Sequence, residues 1–127
     1  MKLWLDDVRP APEGYVWCKS VNEARACILK NEDYACDHYS LAVRKFNNGN
    51  ETEFFDQLDL GNRHIPEILD LDHDAGDYVS DGGDYIRLLD WLEETGRNYP
   101  IRIHSQNVVG VENMRRIIRR NGWKEVF

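Results

Sequence analysis

No stretch of 18 consecutive apolar residues occurs in this 127-residue chain, so nothing in it reads as a membrane-spanning helix. The opening Met1-Lys2-Leu3-Trp4-Leu5-Asp6 turns to charge too early for a secretory signal peptide, and a cytoplasmic location is the expectation. Cysteine is scarce. Cys18, Cys27 and Cys36 are odd in number and include no Cys-x-x-Cys pair, which speaks against a disulfide framework and a thiolate metal site. Buried thiols outside any disulfide are expected instead. Positive charge is also in deficit, with 16 Lys and Arg against 23 Asp and Glu for a net charge of −7. Broad, sequence-independent binding to nucleic acid, which depends on cations displacing counterions, is therefore not expected.

What remains is the composition of an ordinary folded domain, 42% hydrophobic and 31% charged. The length suits one core, and residues 1–127 are read as a single domain. Basic residues gather only at Arg115, Arg116, Arg119 and Arg120, on a helix whose apolar side is Met114, Ile117 and Ile118. A solvated face is the simpler reading of that cluster, and a phosphate-facing role the lesser one. Trp4, Trp17, Trp91 and Trp123 fall on separate elements and are read as core. Trp17 or Tyr15 could also stack on a base.

Lys2–Leu5 is an apolar run ended by two aspartates, which predicts a buried strand. Pro10, Pro12 and Gly14 turn the chain into a second strand, Tyr15–Cys18. Ser20 and Glu23 have capping-box spacing and open a helix predicted to end near Lys30 or Asn31. Asn47-Asn48-Gly49-Asn50 lies between Tyr39–Phe46 and Thr52–Leu58, predicting a β-hairpin around residues 38–60 within an insertion at about 33–64. Pro66–Asp72 follows as a strand, although Asp70 must then be tolerated in or beside the core. A glycine-rich loop, a helix from Asp84 to about Thr95, a strand Pro100–Ile103, a helix Val111–Asn121 and a last short strand Trp123–Phe127 complete the order. Alternating elements of this kind predict a parallel sheet covered by helices.

Chemistry-bearing residues stand just after the predicted strands: Asp6, Asp7 and Arg9 after the first, Asp72, His73 and Asp74 after Leu71, and His104 and Ser105 after Ile103. Strand ends at the carboxyl edge of a parallel sheet are where functional groups collect. Carboxylates gathered there repel by about 4 kcal/mol per close pair at an effective dielectric near 20, so a divalent cation or a proton is needed to hold them.

Leu5-Asp6-Asp7-Val8-Arg9-Pro10 with Pro12-Glu13-Gly14, Leu71-Asp72-His73-Asp74-Ala75-Gly76, and Ile103-His104-Ser105-Gln106-Asn107 with Gly110 and Asn113-Met114 together resemble the cyclic-phosphate processing receiver-like family, relatives of two-component receiver domains. The resemblance covers about residues 1–31 and 66–121. It implies a flavodoxin-like parallel sheet in the order 2-1-3-4-5, a Mg²⁺ site, and action on cyclic or terminal phosphates of nucleotides or RNA. By that resemblance Asp6, Asp7 and Asp72 hold the metal, Asp72 matches the receiver's phosphoryl acceptor, and Ser105 the hydroxyl that contacts a phosphoryl oxygen. The receiver's final-strand lysine has no counterpart, since Lys124 lies inside the last strand. The first crossover helix and a fifth helix are missing as well, which sets this chain apart from a phosphorylation switch.

The residues themselves suit such chemistry. Mg²⁺, with Mn²⁺ as the alternative, takes oxygen ligands from one or two carboxylates and keeps room for phosphate. Histidine is the side chain whose unperturbed pKa suits proton transfer near neutral pH, and His73 and His104, with Asp72, are the candidates for catalysis. Arg9 can grip phosphate through a bidentate fork, and Ser105 and Asn107 can bind substrate. Each residue alone is equally at home as a turn cap or a hydrogen-bonded strut. Two functions follow: a metal-dependent phosphoesterase, or a non-catalytic module that binds a phosphorylated or cyclic nucleotide.

Overall fold

The computed structural model describes residues 1–127, which fall into two compact units: Lys2–Arg25 with Pro66–Phe127, and Ala26–Ile65 with Met1. In the first unit, strands β1 (Lys2–Leu5), β2 (Tyr15–Cys18), β3 (Ile68–Leu71) and β4 (Ile101–Ile103) pair in parallel in the order β2-β1-β3-β4. Leu3, Leu5, Leu69, Leu71 and Ile101 are wholly buried, which is why these strands read as apolar runs rather than alternating ones. Helix α3 (Ile86–Glu94) buries Leu88, Leu89, Trp91 and Leu92. Helix α4 (Val108–Asn121) buries Met114, Ile117 and Ile118 and ends on Gly122 in the left-handed conformation. The parallel β1–β2 connection contains no helix, only a loop turned by a Tyr15 N–H bond to the Pro12 carbonyl (3.1 Å).

The sheet has four strands, not the five expected. Trp123–Phe127 makes only a single bridge, Glu125 with Ile101, through Ile101 N–H to the Lys124 carbonyl (3.0 Å) and Val126 N–H to the Ile101 carbonyl (2.7 Å). β4 is itself three residues long, and pairing confined to Ile101 is too short to make a strand.

Residues 33–64 form no hairpin of strands. Helix α1 (Val21–Asn47) runs past Lys30 without a break, and α2 (Glu51–His64) follows after a short turn. Gly49 supplies the positive φ (+76°), and the Asn50 side chain caps α2 by accepting the Glu53 N–H (3.1 Å). The Asn-Asn-Gly-Asn turn was therefore located correctly, but it joins two helices. Only Val43 and Thr52 in this stretch are β-branched, which removes the side-chain reason for a sheet. Within the Ala26–Ile65 unit, Lys45 bridges to Glu53 (2.7 Å) and the Tyr39 hydroxyl donates to Asn62 (2.5 Å).

Cys18 is buried as expected, but Cys27 is half-buried and Cys36 exposed, and none is in a disulfide. Trp4 and Trp91 are core residues, whereas Trp17 and Trp123 are half-buried. Arg115, Arg119 and Arg120 pair with Glu125, Glu112 and Glu93, in keeping with the simpler reading of that cluster. No helix is long and apolar enough to cross a membrane.

Candidate functional site

Asp6 follows β1, Asp72 follows β3 and His104 follows β4, and one ligand atom from each lies within 4.8 Å of the other two. The strand alignment causes this: Asp72 N–H bonds the Leu5 carbonyl and His104 N–H the Leu71 carbonyl (both 2.9 Å), so the three residues sit side by side at the carboxyl edge. Asp6 is buried. Its Oδ1 accepts the N–H groups of Val8 (2.9 Å) and Arg9 (2.7 Å), and its Oδ2 lies 3.0 Å from His104 Nε2 and 3.4 Å from Arg9 Nε. Burial pushes the Asp6 carboxyl up, but the two backbone donors and His104 outweigh it and hold the carboxyl below its ordinary value.

His104 is gripped on every side. Its ring stacks on Trp4, its Nε2 faces Asp6, and its Nδ1 lies 2.6 Å from Oδ1 of Asp70. A neutral imidazole has one N–H, so an arrangement with carboxylates at both nitrogens needs a second proton or a cation on the Asp6 side. The Arg9 guanidinium, half exposed, also donates to the His104 carbonyl (3.3 Å), which leaves N–H groups for an anion.

His73 belongs to a neighbouring group. Its Nδ1 lies 2.9 Å from Asp74 Oδ1, and the Asn107 amide reaches the Asp74 carboxylate at 3.4 Å. Asn107 also caps α4 by accepting the Gly110 N–H (2.9 Å), and the Ser105 hydroxyl oxygen accepts the Asn107 N–H (3.1 Å). A Cβ on Gly110 would run into the His73 ring, so only glycine lets the ring lie against the first turn of α4. Asp72 Oδ1 accepts the His73 N–H (2.8 Å), tying this group to the trio.

Asp7 stands outside the trio. Its carboxylate rests against Gly76, at φ +53° in the turn Gly76–Tyr78, and a Cβ there would strike the carboxylate. Its charge still reaches the site. The wholly buried Tyr85 phenol is pushed far above its ordinary value, first by burial and then by the charges of Asp7, Asp6 and Asp72. One hydroxyl thus feels all three aspartates, and it is anchored by donating to the Lys19 carbonyl (2.7 Å).

The family model of the cyclic-phosphate processing receiver domain matches residues 1–42 and 50–120. The chain belongs to that family. No curated protein and no solved structure matches it. The match runs through most of α1 and all of α2.

Asp70, Trp4 and Tyr85 contribute to the site beyond the residues singled out by spacing. Asp70 gave the one available signal, a carboxylate in a strand otherwise made of leucine and isoleucine. Trp4 reads as a core residue in the sequence, which it also is, and nothing in the sequence marks Tyr85.

Proposed function

We propose that the protein is a metal-dependent phosphoesterase that acts on cyclic or terminal phosphates of nucleotides or RNA ends. The observation that carries this reading is the convergence of Asp6, Asp72 and His104 in a member of the cyclic-phosphate processing family. The donor set suits a divalent cation, with two carboxylate oxygens and one imidazole nitrogen turned toward one another. Because one donor is nitrogen, Mn²⁺ fits this set better than Mg²⁺, which favours an all-oxygen shell. Asp6, Asp72 and His104 would hold the ion, with Asp7 close by. A divalent ion held there would supply charge neutralisation of a phosphate oxygen and a lowered pKa of water.

The chain's own groups supply the rest. Opening a cyclic phosphodiester requires water to lose a proton as its oxygen bonds to phosphorus, and the departing ribose oxygen to gain one as its bond to phosphorus breaks. His73, with Nδ1 turned to Asp74, keeps Nε2 for moving that proton. Arg9 has guanidinium donors to orient the phosphate, and Ser105 and Asn107 stand at the α4 end of the same edge. If the ligand is a nucleotide, its base would stack on Trp17. The Trp17 Nε1 donates to the Asp6 carbonyl (2.7 Å), and the Lys19 ammonium lies 4.6 Å from the Trp17 ring centre and 6.0 Å from that of Tyr78.

Turnover of 2′,3′-cyclic, 3′,5′-cyclic and linear nucleotides, with Mn²⁺, Mg²⁺ or chelator, tests this reading. Hydrolysis that needs metal and is lost in Asp72→Asn is the expected result. Nucleotide binding without hydrolysis under any metal would assign the chain to the non-catalytic class.

A further inference from the structure

Asp70 has no task in the proposed reaction, yet it is the costliest residue in the sheet. Its side chain is 0% exposed in the middle of β3, where an unpaired carboxylate would be strongly destabilising. Both oxygens are engaged: Oδ1 lies 2.6 Å from His104 Nδ1 and Oδ2 lies 3.1 Å from the Arg102 guanidinium. We propose that Asp70 is a positioning residue that keeps the proton of His104 on Nδ1, so that Nε2 is the atom offered to Asp6 and Asp72, and that Arg102 is the reason only a carboxylate can do this.

The argument is one of donors and acceptors. A carboxylate only accepts, so His104 Nδ1 must carry hydrogen to meet Asp70. Arg102 only donates, so the other Asp70 oxygen must also accept. Whatever lies between Nε2 and Asp6, a proton or a cation, the Nδ1 proton stays. An asparagine of the same shape has one oxygen and one amide NH₂. Arg102 would claim the oxygen, the NH₂ would turn to Nδ1, and Nδ1 would have to become the acceptor. The ring proton would then sit on Nε2 and point at Asp6, and the lone pair would be lost to the site. Trp4, stacked flat on the imidazole, keeps the ring from swinging away to escape this. The use made of Nε2 rests on the proposed function, whereas the position of the proton does not.

Proton-detected ¹⁵N spectra of the full chain labelled in histidine read the outcome directly, without metal and with Zn²⁺ as a diamagnetic probe. Wild type is expected to show a low-field proton on His104 Nδ1 in both conditions. In Asp70→Asn without metal, Nδ1 should lose its hydrogen and the ring keep a single proton, on Nε2, and Zn²⁺ affinity measured by calorimetry should fall about 10–100-fold, the usual cost of losing a partner that orients a ligand. In the double variant Asp70→Asn with Arg102→Leu, the asparagine oxygen is free to turn to His104. Its NH₂ then takes the side vacated by Arg102, whose side chain is 44% exposed to water. Nδ1 should regain its hydrogen once Zn²⁺ occupies Nε2, and affinity should recover. A wild-type Nδ1 without hydrogen overturns the proposal, even if Asp70→Asn does not fold. A hydrogen kept on Nδ1 in metal-free Asp70→Asn overturns it too, and Zn²⁺ affinity that does not recover in the double variant overturns the part given to Arg102. Metal-free proton positions as stated, in a chain that binds no Zn²⁺, would uphold Asp70's role and sink the metal reading instead.

Discussion

The indole of Trp4 lies flat on the imidazole of His104, with ring centres 3.8 Å apart and 4° between planes, and its Nε1 donates to the Arg9 carbonyl at 2.9 Å. One buried side chain thus steadies both a ring of the acidic trio and the loop that carries the guanidinium. Trp4→Phe keeps an aromatic face but loses the bond to Arg9, a loss of about 1 kcal/mol. Urea unfolding should show a drop of at least that size, because the smaller ring also leaves a gap in the core. If Arg9 orients the phosphate, KM for a cyclic nucleotide should rise more than kcat falls. An unchanged KM beside a large fall in kcat would place Trp4's importance in His104 alone.

Gly110 and His73 make a second such pair. Gly110→Ala puts a methyl group where the ring now lies, in a place hemmed in by Asp74 and the cap of α4. Overpacking of this kind costs about 1–3 kcal/mol when neighbours cannot yield. Thermal melting should fall accordingly, and turnover should drop with His73 displaced. Full activity in Gly110→Ala would mean that the position of His73 does not matter to the reaction.

Much of the sheet was legible because its strands are short and mostly apolar, with β1 and β3 cut off by aspartates, a pattern that sets both burial and the position of the carboxyl edge. Asp6, Asp72 and His104 meet because each follows such a strand, and parallel pairing places their ends side by side. The helical pair α1–α2 was misread because Asn-Asn-Gly-Asn serves equally to join strands or helices, and the period of the flanking residues had to decide. Nothing local could announce the Trp4–His104 stack. The two residues are far apart in sequence and meet only through the pairing of β1 with β3 and of β3 with β4.

Metal should stabilise the folded chain, since the gathered donors exist only in the native state. At 100 times its dissociation constant, a bound ion adds about 2.7 kcal/mol. Melting temperature should rise with Mn²⁺, rise less with Mg²⁺, and stay flat with either ion in Asp6→Asn or Asp72→Asn. Equal rises in wild type and both variants would place the binding elsewhere.

Acid should unfold the protein through three carboxyls held below their ordinary values. Asp6 is lowered by the Val8 and Arg9 N–H groups and His104 against the effect of burial, Asp81 by the Ser20 hydroxyl and Asn22, and Glu93 by Arg120 and Asn121. A depressed folded value means that the unfolded chain binds protons first as pH falls. Their stabilisation is complete above the ordinary values of 3.8 for Asp and 4.5 for Glu, and is lost as pH drops through the lowered ones. The urea midpoint should fall steeply below about pH 4 as these carboxyls take up protons. Asp81→Asn should make that fall shallower. A midpoint unchanged down to pH 3 would contradict all three assignments.

Selectivity for a base should depend on Tyr78 and Trp17, which flank the Lys19 ammonium on the β2 side of the site. A base that stacks on an aromatic face gains about 1–3 kcal/mol, whereas the phosphate end would depend on Arg9 and on a cation held by Asp6, Asp72 and His104. Tyr78 is 37% exposed in a surface turn, so Tyr78→Ala should leave the fold intact. It should weaken binding of a 2′,3′-cyclic nucleotide about tenfold, which corresponds to about 1.4 kcal/mol. The same change should leave a cyclic phosphate of a sugar without a base unaffected. Calorimetric titration of wild type and Tyr78→Ala with both ligands separates the two terms. Equal losses for both would show that Tyr78 acts through the shape of the glycine-rich loop and not through a stacked base.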